Sequence, residues 1–507
     1  MKPGKDREDP KSYRPISLLC HLYKILERMI LSRLTAAVEP LLIAQQAGFR
    51  SGKSGTSQVL KLTQHIEDGF ENRKITGAVF IDLTAAYDTV NNRLLLGKIY
   101  SMTKDYNLTR LIKNLLQNRR FFVEFQGKRS RWRTQKNGLP QGSVLAPTLF
   151  NIYTNDQPLR AGTQSFIYAD DCAITAQADD FETIEQELSE ALTELSAYYK
   201  ENHLKPNPTK TQTCAFHLKN RQATRKLQIT WEDTPLVHCP TPKYLGVTLD
   251  RALTYKKHCH NTKQKVAARN NIIRKLTGTS WGAQPQTLKT SAMALCYTAA
   301  EYACPVWYRS CHANQVDIAL NETCRITTGC LRPTPTNKLH CLAGIAPPNI
   351  RREVAARKEK HKASTSQAHP LYGYQPAPQR LKSRKSFLRT THDLTEPAAK
   401  TRLGLWKAQS GTINEWMMPS EDLPPGHKEG WATWKALNRL RAGVTRSRAN
   451  QIKWGFPCES ALCDCGEEQT TEHLLICPLC PAACIMEDLV CATPNALDVA
   501  NFWQRNV

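Results

Sequence analysis

The sequence predicts an α+β protein with a small metal-binding module near its C-terminal end. Three observations carry that expectation. The apolar run at 77–83 reads as a buried strand with Asp82 near its end. A second apolar segment, 166–175, holds the paired Asp170 and Asp171 in a strand-turn-strand setting. Near the end of the chain, Cys463, Cys465, His473 and Cys477 follow the spacing C-x-C-x7-H-x3-C.

The other elements follow in chain order. Residues 12–40 have a helical pattern, with Leu18, Leu22, Ile25, Leu26 and Met29 along one face. Residues 92–117 read as mostly helical and 121–127 as a strand. An acidic amphipathic helix is expected at 181–202, followed by strand-like segments near 212–216, 227–231 and 244–249. From about 256 to 345 the pattern is helical and basic, with Lys256, Lys257, Lys263, Lys265, Arg269 and Arg274 along it. Residues 363–394 are rich in Ser, Pro, His, Lys and Arg, a linker composition. Beyond about 400 lies a smaller region containing Trp and Cys.

Charge narrows the function classes. The 507 residues carry a formal net charge of +24, which points to a polyanionic partner, and nucleic acid fits best. No run of about 20 apolar residues is present, so no transmembrane helix is expected. Residues 1–10 are charged and lack an apolar core, which excludes a secretory signal and predicts an intracellular protein of nucleus and cytoplasm. Reduced thiols are the expectation for most of the 18 cysteines.

Asp82, Asp170 and Asp171 suit one chemistry in particular. Nucleotidyl transfer uses two magnesium ions about 3.5–4 Å apart, held by hard oxygen ligands. Like charges gathered at strand ends are tolerated with metal between them.

The motifs around these aspartates resemble those of reverse transcriptases. Tyr168-Ala169-Asp170-Asp171 matches that family's signature, and the segment Phe80 to Asp88 resembles its first catalytic motif. Gly138-Leu139-Pro140-Gln141-Gly142-Ser143 resembles the motif between them. Two finger motifs also appear, at 12–19 and in Gln46-Ala47-Gly48-Phe49-Arg50. The style is that of LINE-type, jockey-like non-LTR elements, and the resemblance covers roughly 3–345. It implies a right-hand polymerase: partial fingers at 1–75, a palm at 76–255, a helical thumb at 256–360, a basic linker at 361–400 and a C-terminal domain at 401–507. The opening at Met1 looks truncated relative to that family, with an upstream endonuclease and the earliest finger segment missing.

The resemblance also implies site roles. Asp82 and Asp170 would be the principal magnesium ligands, with Asp171 supporting and Leu83 lending its backbone carbonyl. Tyr87 would lie under the sugar of the incoming dNTP and exclude a 2′-hydroxyl. Gln141 and Gly142 would line the nucleotide pocket, and Arg50 would hold the triphosphate through its forked guanidinium. Lys210 would protonate the leaving pyrophosphate, and Arg14 would touch template or serve structure. Tyr244-Leu245-Gly246-Val247 resembles the primer-grip hairpin. RNA template, DNA primer or target, and dNTPs are the implied partners. The segment Gly48 to Ser54 looks like a phosphate-binding loop, but three residues stand between its glycines where that loop needs four.

Four Cys and His ligands within fifteen positions suit tetrahedral zinc, although Cys458, Cys480 and Cys484 blur the assignment. Arg439, Arg441, Arg446 and Arg448 stand near Trp431, Trp434 and Trp454, a mixture that suits backbone contacts and base stacking, although at least two of these tryptophans read as core. The competing expectation for the whole chain is a decayed or domesticated copy that binds nucleic acid without catalysis.

Overall fold

The computed structural model describes residues 6, 8–9, 12–13, 15–278, 281–410 and 417–504. Arg14 lies outside them. Two compact units emerge: residues 1–253 with 362–388, and residues 254–361 with 389–507.

The first unit is built on β1 (Ile75–Ile81), which is buried along its whole length. It pairs antiparallel with β3 (Asp171–Ala178) on one side and β4 (Gln212–Phe216) on the other. The hairpin partner β2 (Thr163–Tyr168) and the short parallel β5 (Val237–His238) complete the order β5-β4-β1-β3-β2. Alternation along β1 explains what covers it. A Cβ on Gly77 would overlap Ile184, so α6 (Phe181–Glu201) packs on that face. The neighbouring Thr76 points the other way, and its hydroxyl lies 2.7 Å from where a Cβ on Gly69 of α2 (Gly55–Glu71) would stand. The central strand is therefore held between two helices, each brought close by a glycine. α6 begins at Asp180, whose carboxylate accepts the Thr183 N–H at 2.7 Å, a cap the sequence supports.

The helical stretch at 92–117 divides into α3 (Asn92–Thr103) and α4 (Tyr106–Leu116), started by Asn91 and Asp105. The expected strand at 121–127 resolves into two short exposed hairpin pairs instead. The helix foreseen at 12–40 begins only at His21, as α1 (His21–Val38), and it is turned the other way. Its buried face is Glu27, Ile30, Leu34 and Val38; the face expected to be core is exposed, with Leu18 at 95% and Met29 at 69%. Both faces are apolar, so periodicity alone does not choose between them.

The expected linker behaves differently from its composition. Residues 362–388 belong to the first unit, where Tyr374 donates to Asp68 at 2.7 Å and the Arg380 and Leu381 N–H groups donate to Glu71 at 2.7 and 2.8 Å. The acidic end of α2 gives this basic segment a place to bind. The second unit is helical, as its pattern predicts, and includes α7 (Lys256–Arg274), α8 (Asn314–Thr328) and α9 (Trp431–Ala442).

Candidate active site and Cys/His cluster

The carboxylates meet through strand register. The β1–β3 ladder ends with Ile81 opposite Cys172, both in the core on the α6 side. One step further come Asp82 and Asp171, which therefore turn to the opposite face together. Opposed residues in such a ladder have Cα atoms about 4.5–5.5 Å apart. Asp170 stands beside them in the two-residue turn between Tyr168 and Asp171, which pair with each other. Three carboxylates separated by nearly ninety positions in the sequence thus share one edge of the sheet.

That turn is strained and braced. Ala169, its first central residue, has φ +57°, a conformation that glycine adopts more readily. The strap at 45–48 holds it. Gln46, buried, accepts the N–H groups of Ala169 at 2.9 Å and Gly48 at 2.8 Å. Ala47 donates to Ile167 at 2.8 Å, and Gln45 accepts from Ile167 at 3.2 Å. A Cβ on Gly48 would overlap the Ala169 nitrogen, so only glycine lets the strap lie this close. Buried Asn151 closes the arrangement by donating to the Gly48 carbonyl at 2.7 Å.

Arg50 belongs to the same brace. Its side chain is 8% exposed, ion-paired with Glu39 at 2.8 Å, and it donates to the carbonyls of Ile43 at 2.6 Å and Gln46 at 3.0 Å. The sequence expectation gave this guanidinium to a triphosphate; the structure gives it to the strap. Lys53 also donates to the Gln46 carbonyl, at 3.1 Å, and burial, followed by the charges of Arg50 and Lys61, lowers its pKa to about 8.

The remaining residues gather around the same edge. Lys210 places its ammonium 3.9 Å from the Asp82 carboxylate, with both side chains open to solvent. Asp82 is fixed at its backbone: its N–H donates to the Thr211 hydroxyl at 3.3 Å and its carbonyl accepts from Asn207 at 2.9 Å. Leu83 forms a bridge with Pro206. The Tyr87 ring stacks on Phe150, centroids 4.7 Å apart and planes 12° from parallel. Its hydroxyl is buried with no hydrogen-bond partner; burial, then the nearby charge of Asp170, holds its pKa above the usual phenol range.

The Gly138–Ser143 turn runs against the backbone of Tyr87 and Asp88. Leu139 donates to the Tyr87 carbonyl at 2.8 Å. Gly138, at φ +89°, would put a Cβ 2.7 Å from the Asp88 carbonyl, so the contact requires glycine. The Gln141 side chain bonds Asp88, whose pKa is raised by burial in spite of that bond. Gly142 passes against Ser17, and Ser17 donates to the Gln141 carbonyl at 2.7 Å. The far end of the turn hangs on Glu27, a buried carboxylate of α1 that accepts from the Ser143 hydroxyl and, at 2.9 Å, from the Val144 N–H.

Glu27 is a positioning residue that sequence reasoning missed, and Gln46, quoted only as part of a finger motif, was given no role of its own. A buried Glu spaced i, i+3, i+7 and i+11 with Ile30, Leu34 and Val38 was the available signal for the first. A hairpin stands at the expected position: Lys243 pairs with Thr248 and Tyr244 with Val247, around Leu245 and Gly246 at φ +42° and +84°. Tyr244 donates to the Phe166 carbonyl at 3.0 Å, which ties this hairpin to β2.

The family comparison now decides the assignment. A family described as "Reverse transcriptase (RNA-dependent DNA polymerase)" matches residues 2–249. Those residues form a reverse transcriptase domain. Its relatives include the "Probable RNA-directed DNA polymerase from transposon BS" of Drosophila melanogaster, 33% identical over 65% of this chain and 37% of that protein. The "RNA-directed DNA polymerase from mobile element jockey" of Drosophila funebris is 32% identical over 54% of this chain and 31% of that protein. The chain thus spans about a third of the length of these curated relatives. A solved structure of apo telomerase from Candida tropicalis aligns at 11% identity and a TM-score of 0.36, over 60% of this chain and 50% of that one, too distant to add to the argument. Within this domain, Asp170 and Asp171 stand on the hairpin that the strap holds.

In the second unit, Cys463, Cys465, His473 and Cys477 have ligand atoms within 4.8 Å of one another. The Cys463 and Cys477 sulfurs are 3.8 Å apart, and the Cys465 sulfur is 3.3 Å from His473 Nε2. Tetrahedral zinc with Zn–S near 2.3 Å separates two sulfurs by about 3.8 Å, so the donor set fits. Gly466, at φ +96°, donates to the Cys463 carbonyl at 2.9 Å and makes the knuckle turn. Cys458 does not join the cluster; its thiol donates to the Ser460 carbonyl. Cys480 and Cys484 are buried in the same hydrophobic core as Cys463 and Cys477 but are not among the four gathered ligand atoms. Among the described residues, no helix is long and apolar enough to cross a membrane.

Proposed function

We propose that the chain is an RNA-directed DNA polymerase that extends a primer 3′-hydroxyl with dNTPs on an RNA template. The observation that carries this reading is the shared position of Asp82 and Asp171 one step beyond the last β1–β3 pair, with Asp170 in the adjoining turn. Oxygen donors exposed at a sheet edge suit hard divalent ions, and two bound magnesium ions would supply nucleophile activation and charge neutralisation at the phosphates. The chain's own residues do the positioning. Asp82 and Asp170 would be the principal ligands of those ions, with Asp171 in support and Leu83 lending its backbone carbonyl. The 3′-hydroxyl gives up its proton to solvent as its oxygen bonds to the α-phosphorus, the bond from that phosphorus to the bridging oxygen of pyrophosphate breaks, and Lys210, beside Asp82, donates a proton to the leaving pyrophosphate.

Tyr87, locked on Phe150, forms the floor under the sugar and leaves no room for a 2′-hydroxyl. Gln141 and Gly142 close the pocket, and Arg50 acts on the nucleotide through the strap it braces. The Cys/His cluster binds zinc as a structural knuckle. Use of a nicked DNA target as primer, and work in nucleus and cytoplasm, follow from the relationship to mobile-element polymerases. Primer extension on an RNA template with magnesium tests the reading: dNTPs are incorporated and NTPs are not. NTP incorporation at equal efficiency, or nucleic-acid binding with no synthesis, would contradict it.

A further inference from the structure

Between α4 and the Gly138–Ser143 turn the chain runs out into a hairpin, residues 119–134, to which none of the roles above is assigned. Two short ladders build it, with Phe121 opposite Arg133 and Phe125 opposite Lys128. Six cations stand in the segment against one carboxylate, Glu124. From 120 to 134 every residue except Phe122 is exposed.

Alternation gives the hairpin two unlike faces. On one of them Arg129 pairs with Glu124 at 2.9 Å and lies 5.1 Å from the centre of the Phe122 ring, and Arg120 lies 5.7 Å from that of Trp132. Phe122 and Trp132 meet edge to face, centroids 4.8 Å apart. Charge and aromatic surface are thus partnered within that face.

The residues in between, Phe121, Val123 and Phe125, project to the other face and are 41%, 55% and 47% exposed. Phe125 keeps that exposure with the Tyr13 ring set edge to face against it, centroids 5.0 Å apart. Lys128 and Arg133 stand across from this apolar row. Lys128, Arg131 and Arg133 have no ion-pair partner among the described residues, which include every Asp and Glu of this unit. An apolar row open to water marks a binding surface, and cations left without acids beside it favour a polyanion. A polyanion that also offers flat apolar rings is a nucleic acid with its bases unpaired.

The hairpin is rooted beside the proposed nucleotide pocket. Gln135 donates its N–H to the Arg119 carbonyl at 2.7 Å and its side-chain amide to the Gly138 carbonyl at 3.2 Å. Arg119 donates to the Tyr23 hydroxyl of α1 at 3.3 Å. A strand laid along the hairpin therefore leads toward the turn that carries Gln141.

We propose that the Phe121–Val123–Phe125 face of this hairpin binds single-stranded RNA, with bases stacked on the two phenylalanine rings and phosphates held by Lys128 and Arg133. The identity of that strand as unpaired template rests on the polymerase reading; the binding surface does not.

The test is fluorescence anisotropy of the full chain with a labelled, unstructured single-stranded RNA oligonucleotide across a salt series. The mixture contains neither dNTPs nor magnesium, so a chain inactive in primer extension still reports on the hairpin. Lys128 and Arg133 are exposed, and the variant Lys128→Gln/Arg133→Gln should keep the wild-type melting curve. It should bind more weakly and lose about 1.4 from the slope of log affinity against log salt, as expected for two lost phosphate contacts. Phe121→Ala should weaken binding about five- to hundredfold with the slope unchanged. Lys74→Gln/Lys226→Gln removes equal charge from exposed positions elsewhere in the unit and should retain the wild-type slope. A Lys128→Gln/Arg133→Gln protein that matches this control in affinity and slope would overturn the proposal. So would a Phe121→Ala/Phe125→Ala protein that keeps its RNA affinity and instead changes oligomeric state in sedimentation, which would give the face to a second copy of the chain. Equal competition by fully paired RNA of the same length would overturn the single-strand assignment.

Discussion

The carboxylate edge and the Cys/His cluster are both small constellations of residues with donor atoms that suit metal ions, but they are assembled in opposite ways. The cluster draws all four ligands from fifteen consecutive positions around one glycine turn. The carboxylates come from segments nearly ninety residues apart and meet because two strands pair in one register and a strap holds a strained turn. On the proposed zinc reading, the first arrangement would rely on a bound ion for cohesion; the second is shaped by backbone hydrogen bonds before any ion binds.

The largest separation of the two should come from Asp170→Ala. Extension should fall to background while RNA affinity and the melting curve stay close to wild type; unchanged synthesis would remove Asp170 from the metal site. Zinc removal should do the reverse. Chelation, or Cys477→Ser, should expose residues 458–484 to limited proteolysis, because the knuckle loses the binding energy that folds it, while 75–81 and 163–178 stay protected. Protection of 458–484 under chelation would show that packing around Cys480 and Cys484 suffices.

Gly48→Ala is intermediate. The added methyl meets the Ala169 backbone, so a stability loss of about 1–3 kcal/mol is expected, with a drop in extension rate larger than the loss of folded protein explains. A variant as stable and active as wild type would mean that the strap does not position the hairpin. Tyr87→Val should have the smallest effect on dNTP extension, yet it should let ribonucleotides in; unaltered sugar selectivity in single-nucleotide incorporation would exclude the gate.

Legibility in the sequence followed the same division. The strand at 75–81, the strand-turn-strand around 170–171 and the helix at 181–201 were readable because each has one strong local pattern. The knuckle was readable as spacing, and the structure brings together the ligand atoms of Cys463, Cys465, His473 and Cys477 without Cys480 or Cys484. What failed was whatever depended on a neighbour distant in the chain. Two apolar faces compete on α1, and the choice was made by Ser143 and Val144 needing the Glu27 carboxylate. Residues 362–388 have the composition of a linker, but Asp68 and Glu71 hold them. Arg50 matched a nucleotide-binding pattern, while the carbonyls that occupy it are backbone atoms invisible to any motif.

Iron-directed cleavage addresses the convergence of the carboxylates most directly. With Fe²⁺ in place of magnesium, ascorbate and peroxide generate radicals that cut the backbone beside the bound ion. Two cuts are predicted, one next to residue 82 and one at 170–171, and Asp82→Asn should weaken both together. Cleavage at only one of these segments, or a cut at 170–171 indifferent to Asp82→Asn, would contradict a shared metal site.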